Sequence, residues 1–366
     1  AAPEGYVTDQ EPQEFTFEYQ GSGTSVAEYA FTFEDEQTTV ELSKADLTDK
    51  KELPGASLKV TDEDGNTVDE WVSKEEAHII KGLIVGKKYK MTETKPVDGY
   101  VTAESIEFTV ENTKEVQKHQ MLDDVTKVEI SKKDITDSSE VPGAKLIILD
   151  KDGKKVESWT SKDKPHMVEK LPVGEYTLRE EQAPDGYLIA EDVKFTVKDT
   201  GKVQKVKMKD AHPYGKLVIK KTDSTSKAAL SGAEFELREK ESGKVVEKLV
   251  TDKTGTATSG KIPIATYKNG KVEKTVEYIL VETKAPNGYE LSSKKEEIRF
   301  EYKDGKTKVI EIVKEIKNTK SPSGSTPTGN SPKTGDSTNI WLPILLAVLS
   351  ACGIGGVIWY KKKKGN

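Results

Sequence analysis

The sequence has very few of the residues that form cross-links and metal centres. It contains one cysteine, Cys352, in 366 residues, so no disulfide can form within the chain. Its four histidines form no HxxxH or HxH pair, which argues against a zinc site built from histidine and cysteine. No glycine-rich nucleotide loop is present. The sequence therefore predicts no disulfide scaffold, no metal and no cofactor.

The chain also lacks a strong excess of charge of one sign. It has 57 Lys and Arg against 63 Asp and Glu, a net charge of −6, and the two signs are interspersed. A nucleic-acid partner is therefore not expected. Hydrophobic residues make up 34% and charged residues 33% of the chain. The 13 Tyr, 8 Phe and 4 Trp supply anchors for several small cores instead of one large core.

The C-terminal end carries the longest apolar run. Residues 340–360, IWLPILLAVLSACGIGGVIWY, contain no charge and are long enough to cross a bilayer. Four lysines follow at once, so we expect residues 361–366 to be a cytoplasmic basic tail. Residues 320–339 are rich in Ser, Pro, Thr and Gly and predict a flexible spacer. The rest of the chain would then face outward.

A short motif in this spacer precedes the apolar span and indicates what the span is for. The motif consists of Ser331, Pro332, Lys333, Thr334 and Gly335. A PxTG motif, an apolar span and a basic tail in this order resemble the cell-wall sorting signal of Gram-positive surface proteins, although Ser331 stands where that signal has Leu. The resemblance implies that a sortase cleaves after Thr334 and joins it to an amine of a peptidoglycan cross-bridge or to a pilin lysine. The exported protein would be held by the membrane helix before sorting and covalently attached to the cell wall afterwards.

The residues before the spacer form a tandem repeat. The segment that starts at Val40 recurs 88 residues later at Val128, and a third copy starts near Lys216. Each copy later contains a box that begins and ends with Tyr: YKMTETKPVDGY, YTLREEQAPDGY and YILVETKAPNGY. This periodicity predicts an array of three like modules, at residues 40–126, 127–213 and 214–319.

Residues 1–39 match the tail of another copy. Ala2 to Tyr6 repeat the end of the Tyr box, and Phe31, Phe33 and Asp35 repeat the ending of a last strand. No signal peptide precedes them, although the C-terminus requires export. We therefore expect the chain to be the C-terminal piece of a longer protein.

Each module shows alternating apolar and polar residues, interrupted by turns such as Asp152-Gly153 and Asn287-Gly288. No long amphipathic helix is predicted outside the apolar span. Modules of about 90 to 105 residues with some seven short strands favour an all-β fold of tandem Greek-key β-sandwiches, followed by one C-terminal transmembrane helix.

Charged or amide side chains recur on the inward-facing side of three strands in every module, because side chains two apart on a strand share a face. A lysine ends the apolar stripe of the first strand, a glutamate points inward from the Tyr-led strand, and an aspartate or asparagine ends the last strand. The three sets are Lys44, Glu93 and Asp123; Lys132, Glu180 and Asp210; Lys221, Glu282 and Asn318.

Buried groups of this kind pair, become neutral or react. Burial lowers the pKa of a lysine, and a neutral amine beside an amide or a protonated acid is a nucleophile. A neighbouring glutamate can carry protons. The product would be an isopeptide bond between the first and last strands, with loss of water from Asp or ammonia from Asn. The alternative is a buried salt-bridge cluster without a bond. Asp124 competes with Asp123 as acceptor, but it faces the other side of the strand.

The Lys-x-Asp openings at Lys44, Lys132 and Lys221 and the E-x-x-A-P-x-G-Y box resemble the B-type repeat of collagen-binding adhesins and related Gram-positive pilins. The first module departs from this pattern at Pro96-Val97. The resemblance covers residues 1–319. It implies a transthyretin-like β-sandwich and autocatalytic Lys–Asp or Lys–Asn bonds promoted by the buried glutamates Glu93, Glu180 and Glu282.

These observations favour a wall-anchored, self-cross-linked surface stalk that displays an N-terminal region. A second hypothesis is an adhesin whose repeats bind a host-matrix or neighbour-cell ligand. A third is an accessory or basal pilus subunit, because the linking lysine of backbone pilins, in a Tyr-Pro-Lys setting, is not found. A turnover enzyme is the weakest hypothesis, since the only reactive cluster is consumed by its own reaction.

Overall fold

The computed structural model describes residues 2–8, 14–23, 26, 28–32 and 34–322. These residues contain 24 β-strands and no helix. Consequently, no helix able to cross a membrane occurs within the described part of the chain. The predicted transmembrane helix at 340–360, the tail at 361–366 and the sorting motif at 331–335 lie outside the described residues.

The first and second modules have seven strands each. The strands of the first module are β1 (Thr39–Asp46), β2 (Ser57–Thr61), β3 (Thr67–Val72), β4 (His78–Lys81), β5 (Lys88–Lys95), β6 (Ile106–Thr109) and β7 (Gln117–Asp123). Those of the second are β8 (Lys127–Asp134), β9 (Lys145–Asp150), β10 (Lys155–Thr160), β11 (His166–Glu169), β12 (Gly174–Gln182), β13 (Val193–Val197) and β14 (Gln204–Asp210).

The third module has ten strands. They are β15 (Tyr214–Asp223), β16 (Glu234–Glu239), β17 (Val245–Val250), β18 (Thr256–Thr258), β19 (Ile262–Pro263), β20 (Ala265–Lys268), β21 (Lys271–Thr275), β22 (Glu277–Lys284), β23 (Lys295–Arg299) and β24 (Val309–Asn318).

Every module contains two facing sheets with an apolar core between them. In the first module one sheet has the order β4-β1-β7 and the other β3-β2-β5-β6, and the second module repeats both orders. The alternation in β1 buries Val40 and Leu42, and these pack against Leu58, Met91 and other residues from the facing sheet. The apolar faces thus pair across the sandwich, as the alternation in the sequence predicts.

The first and last strands of each module lie side by side and run parallel. These pairs are β1 with β7, β8 with β14, and β15 with β24. Parallel neighbours require a long crossover connection, and here the rest of the module provides it. This pairing brings the lysine strand and the acceptor strand together.

The third module contains a hairpin that the repeat pattern does not predict. Strands β20 and β21 form a two-stranded sheet with Asn269-Gly270 at the turn. The hairpin packs against the second module, where the Tyr267 hydroxyl donates to the Gly186 carbonyl at 2.8 Å. Gly270 lies so close to the Glu140 carbonyl that a side chain would not fit.

The N-terminal segment packs on the first module without forming a strand. The Thr8 N–H donates to Asn112 Oδ1 at 2.9 Å and the Thr38 hydroxyl to the Leu83 carbonyl at 2.6 Å, while Tyr6 and Gln37 form an isolated β-bridge within the segment. The prediction of a last-strand ending here is wrong for the described residues, because Phe31 and Asp35 lie exposed outside any strand; Phe33 is not among the described residues. A last strand needs a lysine strand as its parallel partner, and residues 1–38 contain no copy of one.

Candidate functional site

The parallel register places each lysine next to its predicted acceptor. Lys44 lies opposite Met121, so Asp123 is two positions further along β7 and faces the same side. Within each module the lysine Nζ contacts the acceptor Oδ1: Lys44 with Asp123, Lys132 with Asp210, and Lys221 with Asn318. The three lysines are only 0–2% exposed and the three acceptors 0–2%. The amine and the carbonyl group therefore meet in a site shielded from water.

Each predicted glutamate completes one of these pairs. Its carboxylate lies near the lysine Nζ, at 2.9 Å for Glu93, 3.1 Å for Glu180 and 3.0 Å for Glu282. A β-bulge follows each glutamate, at Thr94, Glu181 and Thr283. Bulges re-aim side chains and occur often beside functional sites. The three bulges therefore lie where they can direct the glutamates toward the lysines.

A backbone N–H from the following loop orients each glutamate. The Oε2 atom of Glu93 accepts from Ala103 at 2.7 Å, that of Glu180 from Ala190 at 2.7 Å, and that of Glu282 from Ser292 at 2.9 Å. In all three modules the donor lies ten residues after the glutamate. The loop between them thus sets the direction of the carboxylate.

In the third module hydrogen bonds fix the orientation of the acceptor amide. Asn318 Nδ2 donates to Glu282 Oε1 at 3.0 Å and to the Glu290 carbonyl at 2.9 Å. The amide oxygen therefore points at Lys221. Burial lowers the pKa of Lys221, against the opposing effect of Glu282. Burial thus favours the neutral amine, which is the nucleophilic form.

In the first and second modules an oxygen replaces that donor nitrogen. Asp123 Oδ2 and Asp210 Oδ2 are buried and receive no hydrogen bond from a donor group. Burial raises the pKa of both aspartates to about 7, with the lysines opposing and the neighbouring glutamates adding to the rise. A proton shared by the aspartate and the neighbouring glutamate would satisfy the unpaired oxygens. The acceptor is then a carboxylic acid, whose hydroxyl can leave as water.

This arrangement suits one type of chemistry, the joining of an amine to an acyl carbon with a carboxyl group as proton carrier. Close contact in a fixed geometry replaces a collision between separate molecules, which is worth about 7–11 kcal/mol in favourable cases. Among the described residues no three His, Cys, Asp or Glu side chains are grouped so as to hold a metal ion.

Comparisons with known proteins agree with this repeated architecture. The SpaA family model, described as a prealbumin-like fold domain, matches residues 38–124, 126–212 and 215–316. The chain belongs to this family. The predicted all-β fold of tandem prealbumin-like, that is transthyretin-like, sandwiches is thereby confirmed. The first two matched segments each contain a complete Lys–Glu–Asp cluster, and the third contains Lys221 and Glu282, with Asn318 two residues after its end.

Several solved structures resemble the chain of SpaA domains. The TIE protein of Bacillus anthracis is 28% identical with a TM-score of 0.52, and the alignment covers 78% of this chain and 51% of that protein. The chain thus spans about half the length of the TIE protein. BcpA, the major pilin subunit of Bacillus cereus, is 19% identical with a TM-score of 0.45, covering 78% of this chain and 99% of BcpA. The major pilin SpaD of Corynebacterium diphtheriae is 18% identical with a TM-score of 0.36, covering 80% and 99%. No curated protein matches the chain.

Other residues that the sequence singled out lie away from the clusters in the SpaA domains. Asp124 forms an ion pair with Lys127 at 2.7 Å instead of facing Lys44. His78 stacks on Trp71 and His166 on Trp159, with ring centroids 4.2 and 4.4 Å apart. These histidines pack at the sandwich edge and belong to no reactive cluster.

Sequence reasoning missed a second contact that recurs in every SpaA domain. The Tyr that ends each box donates its hydroxyl to the Asp of the Lys-x-Asp opening. The three pairs are Tyr100–Asp46 at 2.7 Å, Tyr187–Asp134 at 2.7 Å and Tyr289–Asp223 at 2.9 Å. The signal was present in the sequence, because both residues recur in all three copies.

Proposed function

We propose that this chain is a cell-surface stalk whose three modules each close an intramolecular isopeptide bond. The single observation that carries the proposal is the contact between a buried lysine Nζ and the acceptor Oδ1, repeated in every module with a buried glutamate beside it. Three copies of one costly buried arrangement favour a shared chemical purpose over a salt bridge that happens to be buried.

With an aspartate acceptor the bond forms with loss of water. The neutral Lys44 amine attacks Cγ of protonated Asp123, which forms the Nζ–Cγ bond. Glu93 takes a proton from the nitrogen and delivers it to the departing hydroxyl, the Cγ–O bond breaks, and water leaves. Glu93 is restored at the end. Lys132, Glu180 and Asp210 react in the same way.

With the asparagine acceptor the leaving group is ammonia. Lys221 attacks Cγ of Asn318 while Glu282, already in contact with Asn318 Nδ2, transfers the proton from the lysine to that nitrogen. The Cγ–Nδ2 bond then breaks. No cofactor and no oxidant are needed, and each module reacts once.

Each isopeptide bond would join the first strand of its module covalently to the last strand. The three bonds join residues 79, 78 and 97 positions apart. By analogy with a disulfide of similar loop length, each would stabilise its module by about 4 kcal/mol. Because the bond joins neighbouring parallel strands, pulling force would pass from the first strand directly to the last. The residues between them would then be shielded from extension.

The surface location is part of the proposal and is supported by the sequence outside the described residues. The motif from Ser331 to Gly335, the apolar run 340–360 and the lysines after it have the order of a sorting signal. We propose that a sortase joins Thr334 to the cell wall of a Gram-positive bacterium or to a pilin lysine.

Intact-mass spectrometry of the full chain, followed by peptide mapping, tests the proposal. Three bonds lower the mass by about 53 Da in total, a covalent change invisible in the sequence. Glu93→Gln, Glu180→Gln and Glu282→Gln should each restore the mass of one module, while the surface variant Glu41→Gln should restore none. A chain with its full formula mass and no branched peptides contradicts the proposal.

A further inference from the structure

The recurring Tyr–Asp pair lies next to each cluster without touching the reacting atoms. Asp46 is directly opposite Asp123 in the parallel register, Asp134 is opposite Asp210, and Asp223 is opposite Asn318. The aspartate that accepts from the tyrosine is therefore the lateral neighbour of the acceptor.

Backbone contacts tie the same aspartate to the turn after the lysine strand. In the first module Asp46 Oδ1 accepts from the Thr48 N–H at 2.6 Å, and the Leu47 N–H donates to the Asp123 carbonyl at 2.8 Å. The second module repeats both bonds with Thr136 and Ile135, and the third with Thr225 and Ser224. The lysine strand and the acceptor strand are thus fastened together beside the reacting groups.

The tyrosine links these hydrogen bonds between the two strands to the glutamate. Three residues after each tyrosine comes the residue whose N–H orients the glutamate, so Tyr100 precedes Ala103, Tyr187 precedes Ala190 and Tyr289 precedes Ser292. The short segment between the two contacts is held at one end by the tyrosine hydroxyl and at the other by the glutamate. A displacement of the tyrosine would therefore also displace the glutamate carboxylate.

Charge and burial keep the tyrosine hydroxyl hydrogen-bonded to the aspartate carboxylate. Hydrogen bonds lower the pKa of Asp46, and that of Asp223 to about 2. At Asp134 burial opposes the shift, but the hydrogen bonds together outweigh it and the pKa is again lowered. Lys170 of the second module donates to the Tyr100 hydroxyl at 2.6 Å, which leaves the tyrosine proton directed at Asp46. The Tyr187 ring is almost fully buried. An ionised acceptor and a buried donor make a strong, fixed bond.

We infer that Tyr100 with Asp46, Tyr187 with Asp134 and Tyr289 with Asp223 are positioning pairs, which hold the loop that aims each glutamate at the isopeptide site. This inference rests on the proposed function, since it assigns a role in that reaction. Small misplacements of a catalytic group cost up to about a hundredfold in rate. Losing the hydroxyl should slow bond formation in its own module and leave the other two unchanged.

The test compares tyrosine variants in the full chain, made by cell-free synthesis and sampled over time. Each module is followed by the amount of its own branched peptide. Tyr100→Phe should slow the first module by about tenfold or more. Tyr89→Phe is one control, because it loses a single hydroxyl contact, to the Ile84 N–H at 3.1 Å, at a place remote from Glu93. Tyr100→Phe loses the contact with Lys170 as well as that with Asp46, so Lys170→Met is the second control and removes the lysine contact while keeping the tyrosine hydroxyl.

A second readout separates positioning from folding. All three variants are also made with Lys44→Arg, which cannot close the bond, and their melting temperatures are compared. We expect Tyr100→Phe to slow the reaction strongly while lowering the melting temperature no more than Tyr89→Phe and Lys170→Met do together. Equal reaction rates for the two tyrosine variants, or a rate loss matched by a larger drop in melting temperature, would overturn the inference. Absence of branched peptides in the unaltered chain would instead refute the proposed function itself.

Discussion

The first two modules and the third share a frame but differ in how their clusters are neutralised. Lys44 and Lys132 each have two carboxyl groups beside them, whereas Lys221 has one carboxyl group and an amide. An ionised lysine, an ionised glutamate and an asparagine are neutral together. An ionised lysine with two carboxyl groups is neutral only when one extra proton is bound. The acceptor residue thus decides whether the site depends on a proton from solution.

The largest expected effect of this difference appears when bond formation is prevented. Glu282→Gln leaves Lys221 buried with no carboxylate, a situation that costs about 3–5 kcal/mol. Glu93→Gln leaves Lys44 beside Asp123, and losing one of two charged partners costs about 1–3 kcal/mol. Hydrogen exchange measured separately for each module of the full chain should show the third module as the most destabilised.

The control for this comparison is Glu41→Gln on the outer face of β1, where the half-buried Glu41 pairs with Lys118 at 3.1 Å; the loss of such a surface pair should change exchange very little. Mass spectrometry must first show that the altered module lacks its bond. Equal destabilisation of the first and third modules would mean that the second carboxyl group does not neutralise Lys44.

The second prediction concerns the pH dependence of bond formation. The pKa values of Asp123 and Asp210 are raised to about 7, so these groups hold a proton below pH 7 and lose it above. A carboxylate is a poor acyl acceptor, so above pH 7 the rate in these modules should fall about tenfold per pH unit. Asn318 does not titrate, and a higher pH frees the Lys221 amine, so the third module should not slow.

The measurement starts from chain recovered unfolded from inclusion bodies, whose mass shows that no bond is present. It is refolded by dilution into buffers on either side of pH 7, and the three branched peptides are quantified over time. A common fall above neutral pH in all three modules would show that folding, and not the acceptor, sets the dependence.

The third prediction exchanges the acceptors. Asp123→Asn should still react, but with loss of ammonia, so that the mass deficit of the first module changes from about 18 to about 17 Da. Its rate should also lose the fall above pH 7, because the new Nδ2 can donate to Glu93 as Asn318 donates to Glu282. With Asn318→Asp, the rate of bond formation in the third module should fall above pH 7, as it does in the first two modules of the unaltered chain. Unchanged pH profiles after both exchanges would place the titrating group elsewhere.

Strand alternation was enough to predict much of this architecture. The same parity that buries Val40 and Leu42 also assigns Lys44 to the interior, and the structure brings Lys44 together with Glu93 and Asp123. The bulge at Thr94 and the Tyr100–Asp46 contact were not predicted, because each depends on how a loop closes in space. The strand expected near Phe31 failed for a related reason, since strand-like residues form a strand only beside a partner. The hairpin around Asn269 has no counterpart in the other copies, so the repeat gave no template for it.

The smallest expected effect concerns that hairpin, which only the third module has. Tyr267 stacks on His212 with ring centroids 3.4 Å apart, and its hydroxyl donates to Gly186 of the second module. Tyr267→Phe keeps the stack and loses one hydrogen bond, worth about 0.5–1.5 kcal/mol. Amide exchange around Gly186 should therefore rise by about two- to tenfold.

The matched control is Tyr176→Phe, which loses a hydroxyl contact to the Pro172 carbonyl inside the second module. It should leave exchange around Gly186 unchanged, and neither variant should alter the yield of branched peptide in any module. If Tyr267→Phe lowers that yield in the second module, the hairpin supports the reaction of its neighbour. The buried cluster of one module would then depend on the module that follows it, and the reacting unit would be a pair of modules instead of a single one.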